Sequence, residues 1–319
     1  MQTVVVTGAG GYVGGQTAIA LHDAGYKVIG IDNVHPPKHL SASTYFTKFF
    51  VTDFDSEESI AMLVKGKPVA IVHCAGTSLV GPSVSNPALY YHNNFVRTKN
   101  LLEYIIQEKL QTRIIFSSSA ATYGEPIITP LVEGDPQQPI NPYGQSKLMV
   151  EMMLESYRIA YGLDYVAYRY FNVCGADSKG RHGQAPEATH IIARILESIR
   201  DNKPFAINGT EYPTPDGTCI RDYVHVEDVA KAHLLAIQHV PPGCYNIGTG
   251  TGYSNKQIVE TALKVTGSDK EIGTGPMREG DPAVLTGSAK KLNDAVGWSP
   301  EHNLESIIQT AWNWYTDVS

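Results

Sequence analysis

Only four of the 319 residues are cysteine (Cys74, Cys174, Cys219, Cys244); they are widely separated, with no CxxC pair and no Cys/His cluster at zinc spacing. That scarcity excludes a disulfide framework and a structural zinc site, and leaves dispersed buried thiols in a reducing cytosol as the expectation. Basic residues are in deficit, 25 Lys and Arg against 32 Asp and Glu, a formal net charge of −7. The chain therefore lacks the footprint of a nucleic-acid or anionic-membrane binder, although helix N-termini and single arginines still hold phosphate on an acidic protein. No run of apolar residues approaches the ~18 needed to cross a bilayer. The opening MQTVVVTGAGG runs straight into a strand and a glycine turn, without the basic region of a targeting segment. The expectation is a cytoplasmic protein with no nucleic-acid and no membrane partner.

What is present is ordinary globular composition, 42 % hydrophobic and 18 % charged. From residue 3 to about 170, short β-branched runs alternate with longer amphipathic stretches, the pattern of repeated βαβ units and a parallel sheet. Strands are expected at Thr3 to Thr7, Lys27 to Asp32, Ala70 to Cys74, Arg113 to Ser118 and Tyr165 to Phe171. Helices are expected at Gly11 to Ala24, Pro87 to Glu108 and Tyr143 to Tyr161, the last with apolar residues at helical spacing. After residue 172 the rhythm breaks into Gly- and Pro-rich loops, a helix at about Thr189 to Asn202, and short strands near Phe205 to Ile207 and Tyr223 to His225. Asp228 to Gln238 and Tyr245 to Ile247 then return to the main sheet. The fold class expected is α/β, a doubly wound parallel sheet of Rossmann type with a smaller, irregular C-terminal lobe. Its domains would be 1–172, rejoined by about 226–250, and 173–319, interleaved with the first.

Thr7-Gly8-Ala9-Gly10-Gly11-Tyr12-Val13-Gly14 joins the first strand to the first helix. Gly8 suits the tight turn, Gly11 the approach of backbone to a pyrophosphate, Gly14 the close packing of the helix, and the helix N-terminus supplies N–H donors. Asp32 ends the second strand, where a carboxylate accepts both ribose hydroxyls of adenosine and repels a 2′-phosphate, so NAD is expected over NADP. Tyr143-Gly144-Gln145-Ser146-Lys147 puts a tyrosine and a lysine on one helix face. The pair follows Ser117-Ser118-Ser119 at the C-terminal end of a strand, where open α/β sheets gather their ligands. A free phenol has a pKa of ~10, and Lys147 with a cationic nicotinamide would bring Tyr143 down by ~2–3 units to a usable base.

The glycine fingerprint, the serine strand and the YxxxK helix resemble those of the extended short-chain dehydrogenase/reductase superfamily. Arg169-Tyr170-Phe171-Asn172, the run Asn208 to Thr218, Arg221-Asp222-Tyr223-Val224-His225-Val226 and Arg278-Glu279-Gly280-Asp281 narrow the resemblance to UDP-galactose/UDP-glucose 4-epimerases, over essentially the whole chain. The resemblance implies NAD as cofactor, a UDP-sugar as substrate and a homodimer built on the helices at 87–108 and 143–161. It assigns Asn33, Asp53 and Phe54 to the adenosine end of NAD and Ala75, Gly76, Asn93 and Tyr170 to the nicotinamide end. Lys147 falls at the nicotinamide ribose, and Tyr12, Val13, Cys74, Ser117 and Tyr143 complete the cofactor set. Asn172, Thr189, His190, Ala206, Asn208, Arg221, Tyr223, Arg278 and Asp281 fall where the family holds the UDP part, with Leu285 beside the sugar.

The implied reaction is removal of the C4 hydroxyl proton by Tyr143, bridged by Ser119, with hydride passing to NAD and back through a transient 4-keto sugar. His190 and His225 lack metal spacing and nucleophile partners, and are expected to hold structure or substrate. Two residues depart from the family pattern. Ser78 stands where many members carry lysine, which removes one cofactor contact. Leu285 stands where some carry tyrosine, which leaves room for an N-acetyl group and brings UDP-GlcNAc and UDP-GalNAc into consideration. A nucleotide-sugar 4,6-dehydratase would need a carboxylate pair where this chain has Ala120 and Ala121. A non-catalytic NAD-binding module is the reading from another class, against which Ser119, Tyr143 and Lys147 all stand.

Overall fold

The computed structural model describes residues 1–40, 42–186, 189–277 and 282–317. Arg278 and Asp281, assigned above to the UDP site, lie outside the described residues. Seven strands build the main sheet: β1 (Thr3–Thr7), β2 (Lys27–Asp32), β3 (Lys48–Val51), β4 (Ala70–His73), β5 (Arg113–Ser119), β6 (Tyr165–Tyr170) and, far along the chain, Gly243–Ile247. Their spatial order is Gly243–Ile247, β6, β5, β4, β1, β2, β3, and every neighbouring pair is parallel. The order reverses beside β1, so a crevice opens at the carboxyl ends of β1 and β4. Val4, Val5, Val6, Ala70, Ile71 and Val72 are all buried, because helices cover both faces of the sheet.

A second sheet lies off this one. Asn172–Cys174 runs parallel to Ile220–His225, which also pairs with Gly252–Ser254 and with Val284–Leu285. Ala206–Asn208 pairs with Gly273–Gly275. Behind these strands, the helices Ile191–Arg200, Asn255–Thr266 and Leu304–Asp317 bury a separate core that includes Leu196, Ile258, Ile308 and Trp314.

The helix that carries Tyr143 spans Pro142–Tyr161, and its start is set locally. Asn141 is the N-cap and accepts the Gly144 N–H at 2.9 Å, while proline occupies the first helical position, where its missing N–H costs nothing. Tyr143 is thereby held in the first turn. Gly144 lies against the chain that follows β5: a Cβ there would sit 2.3 Å from the Ala121 carbonyl oxygen. Only glycine lets the helix come this close to Ser119.

The stretch expected as one helix from Pro87 to Glu108 is divided. It opens as Pro87–Tyr90, loosens into a π-helical Tyr91–Val96 and tightens again as Arg97–Gln107. The wide turn brings Asn93 to the crevice and buries Asn94 behind it, a common use of such bulges. β3 and the helices Glu57–Gly66, Asn255–Thr266 and Leu304–Asp317 are additional to the elements read from the sequence.

Candidate active site

The crevice is a cleft of about 650 Å³ running from Asp32 to Tyr143. At one end the β1 turn is glycine for steric reasons. Gly8 has a left-handed φ of 68°, and a Cβ on Gly14 would lie 2.1 Å from the Gly8 carbonyl oxygen. Gly11 opens the helix Tyr12–Asp23, and none of the described side chains caps it, so its first-turn N–H groups face the cleft wall. Asp32 accepts the Gly10 N–H at 2.9 Å, which points its carboxylate over the turn. Burial raises the Asp32 pKa, and the backbone N–H groups of Gly10, Val34 and Asn33 pull it back. A bare glycine cradle, free N–H donors and an acid at ribose height fit NAD.

Gly8, Gly11, Tyr12, Val13, Gly14, Asp32, Asn33, Asp53, Phe54, Cys74, Ala75, Gly76, Asn93, Ser117, Tyr143, Lys147 and Tyr170 all line this one cleft. Thr77, Ser78, Leu79, Arg97, Ser118 and Gln184 line it too. Of these, Ser78 and Ser118 are named in the sequence reading, Ser118 only as part of the serine strand end. Arg97 reaches Asp53 and Asp55 at 2.7 Å each and lies 5.3 Å over the Phe54 ring, which fixes the adenosine end. Asn94 is a clamp: it accepts the Thr77 N–H at 2.7 Å and donates to the Thr77 carbonyl and to the Ser146 hydroxyl. That amide ties the turn after β4 to the Tyr143 helix. Two adjacent asparagines inside an amphipathic helix were the available signal.

At the other end, Lys147 donates to the Ser117 carbonyl at 2.8 Å and sits 5.9 Å from the centre of the Tyr143 ring. Ser119 does not line the cleft wall. Its hydroxyl lies beside Tyr143 and also accepts the Ala121 N–H at 3.2 Å. In the protein by itself burial raises the Tyr143 pKa, the Ser119 hydroxyl opposes the rise, and Tyr90 adds to it, while the expected depression counts the charge of the nicotinamide as well. Burial also brings Lys147 down to about 8, against the pull of Cys74 and Glu151. The chain supplies a half-buried phenol with a hydrogen-bond partner. The fixed positive charge that would make it a base comes with the dinucleotide.

One turn beyond Lys147, Glu151 forms a buried ion pair with Arg169 at 2.7 Å and accepts the Ser118 hydroxyl. Arg169 also donates to the Tyr123 oxygen at 2.8 Å. The ends of β5 and β6 are thus pinned to the helix that bears Tyr143 and Lys147.

The described residues assigned to the UDP part, with Leu285 assigned beside the sugar, lie outside the cleft wall, in the second sheet and its approaches. Asn172 stands opposite Tyr223, and Leu285 opposite Arg221, so four of them share three adjacent strands. Leu285 packs half-buried against Ala120, Tyr123, Leu131 and Phe171. Ala206 and Asn208 are on the neighbouring two-stranded sheet, and Thr189 is exposed just before the helix Ile191–Arg200. His190 caps that helix, is held neutral by burial with its pKa down to about 4, and bonds Gln184 on the cleft wall. His225 is fully buried, caps the helix Val226–Ala236 and stacks on His302 at 3.9 Å, so it faces away from the cleft. All four cysteines are free. Among the described residues no helix is long and apolar enough to cross a membrane.

An acid that closes the second strand selects an adenosine ribose, and a tyrosine held beside a lysine serves a substrate lying at the far end of the same dinucleotide. The molecule is a dinucleotide-dependent protein of the short-chain dehydrogenase/reductase type. Comparison with known sequences resolves this further: the chain belongs to the NAD dependent epimerase/dehydratase family, which it matches over residues 4–248. It is 40 % identical to the UDP-glucose 4-epimerase of Halalkalibacterium halodurans, over 98 % of this chain and 96 % of that one. The UDP-glucose 4-epimerase of Brucella ovis, solved in complex with NAD, superposes with a TM-score of 0.92 at 38 % identity, over 98 % of each chain. The UDP-Glc/GlcNAc 4-epimerase of Campylobacter jejuni superposes at 0.84 with 35 % identity, over 99 % of this chain and 100 % of that one.

Proposed function

We propose that the protein is an isomerase that interconverts UDP-glucose and UDP-galactose by NAD-dependent epimerisation at C4. One observation carries the reading: a half-buried Tyr143 at the end of the cleft, with the Ser119 hydroxyl and the Lys147 ammonium beside it. NAD, when bound, accepts the C4 hydride and returns it to the opposite face of the sugar. Asp32 takes the adenosine ribose hydroxyls, and the glycine turn with the N–H groups of Tyr12, Val13 and Gly14 takes the pyrophosphate. Lys147 holds the nicotinamide ribose. Tyr143 removes the C4 hydroxyl proton and gives it back, while Ser119 bridges it to the sugar oxygen. Between the two transfers the 4-keto sugar turns over, anchored through UDP by Asn172, His190, Asn208, Arg221 and Tyr223. Tight contacts to the non-reacting UDP and loose ones to the hexose allow that rotation.

Residues 1–172 with about 226–250 form the NAD-binding domain in this reading, and 173–319 supply mainly the UDP-sugar lobe. Two chains pair through the helices at 87–107 and 142–161. Val96, Tyr104, Met152, Ile159 and Tyr161 are exposed there and would be covered by such pairing. The acidic, reduced-thiol chain acts in the cytoplasm. Leu285 leaves space beside the sugar C2 group, so the N-acetylated pair is accepted as well.

The test is turnover on UDP-glucose, UDP-galactose, UDP-GlcNAc and UDP-GalNAc, without added NAD and then with it. Interconversion of both pairs is expected, with faster turnover when NAD is added, since Ser78 gives the cofactor no charged contact. Turnover of the plain hexoses alone would refute the argument from Leu285. If none of the four sugars reacts with NAD present, the proposed activity is wrong.

A further inference from the structure

Behind the nicotinamide end of the cleft runs a hydrogen-bond chain, and the chemistry of its buried end dictates where the protons of Thr17, His233 and Tyr170 lie. The Val13 carbonyl can only accept, and the Thr17 hydroxyl donates to it at 2.8 Å. With its one proton committed, the Thr17 oxygen accepts from His233 Nδ1 at 2.7 Å, so Nδ1 carries the imidazole proton. Nε2 is then a lone pair, and the Tyr170 hydroxyl donates to it. The Tyr170 oxygen also lies 3.0 Å from the Ser117 hydroxyl. Ser117 donates its own proton to the Cys74 sulfur at 3.2 Å. Thr17 and His233 are sealed from solvent, and burial holds His233 neutral with its pKa down to about 3. No proton enters to reverse the order.

The consequence is electrostatic. Ser117 and Tyr170 line the cleft, yet each spends its proton on a protein neighbour, so both present lone pairs to the ligand. Aligned dipoles with their negative ends at the nicotinamide favour its cationic, oxidised ring over the neutral, reduced one. We propose that His233, which does not line the cleft, is a positioning residue that sets the preference for oxidised over reduced dinucleotide by holding the Tyr170 hydroxyl as an outward donor. The proposal rests on the NAD reading given above. It assigns a role to a buried histidine that the proton transfer at Tyr143 does not use.

The test compares bound nucleotides directly. Purified protein is equilibrated with equal excesses of NAD+ and NADH, passed rapidly through gel filtration, and the two bound forms are quantified by chromatography. His233→Leu removes the acceptor for Tyr170. Thr17→Val removes the anchor that keeps the proton on Nδ1, so the ring is free to turn a proton toward Tyr170. Each is expected to lower the bound NAD+ to NADH ratio about fivefold, the worth of one reoriented hydrogen bond. A histidine that only filled space would weaken both forms alike, and an unchanged ratio in the folded variants overturns the proposal. Should His233→Leu fail to fold, Thr17→Val decides alone, since it keeps the side-chain volume and the imidazole. If the parent protein binds neither form, the NAD reading itself falls, and this proposal with it.

Discussion

Tyr143→Phe is expected to lower kcat by roughly a hundred- to ten-thousand-fold, the usual contribution of a positioned acid/base, while leaving the fold and NAD binding intact. The ring stays in its place because Asn141, Pro142 and the Gly144–Ala121 contact set the helix, none of which involves the hydroxyl. Only the atom that moves the proton is lost. Steady-state kinetics beside near-UV circular dichroism separate the two effects. A variant that turns over at the parent rate would remove Tyr143 from the chemistry, and one that unfolds would mean that its hydroxyl is structural.

The second large effect is loss of stability in acid. Burial holds His73 and His233 neutral, with pKa values down to about 3, and His182, His190 and His225 down to about 4. In the unfolded chain each titrates near ~6.5. Their contribution is therefore fully present above that pH and is lost as the pH falls toward the native values, because the unfolded chain takes up protons that the native protein refuses. Each contributes a slope of up to about 1.4 kcal/mol per pH unit, so the loss steepens as more of them titrate in the unfolded chain. His302 acts in the opposite sense. Hydrogen bonds to Asp228 and Glu227 raise it to about 9, so its contribution is present below ~6.5 and is lost as the pH rises through 9. Urea midpoints at pH 5, 7 and 9.5 should thus peak near 7 with the steeper fall on the acid side. Equal midpoints at pH 5 and 7 would contradict the assignment of neutral buried histidines.

How far the sequence discloses this molecule depends on how local each feature is. Gly8, Gly11, Gly14 and Asp32 are legible because a turn, a helix start and a strand end impose their chemistry within one βαβ unit. Tyr143 and Lys147 are legible by spacing, but their place beside Ser117 and Ser119 needs a sheet order that no local pattern carries. Asn94 was missed for that reason: its partners Thr77 and Ser146 are distant in sequence, and an asparagine inside a helix reads as solvated. Gln184 enters the cleft from the second lobe, in a stretch without periodicity. The rise of the Tyr143 pKa in the protein alone is not legible in the sequence, because burial can be seen only in three dimensions, and it outweighs Ser119 until a cofactor's charge is added. His233 resembles any polar residue in a helix, and its role follows only from the proton order of its neighbours.

The central claim is that the C4 hydrogen leaves as hydride and returns to the same carbon. Its most direct test is UDP-galactose deuterated at C4, converted in ordinary water and followed by NMR. The account predicts UDP-glucose that retains the deuterium at C4, because the hydride never exchanges with solvent while the keto sugar turns over. Replacement of that deuterium by solvent hydrogen would show that C4 is deprotonated rather than oxidised, and would contradict the mechanism drawn from Tyr143 and the cleft.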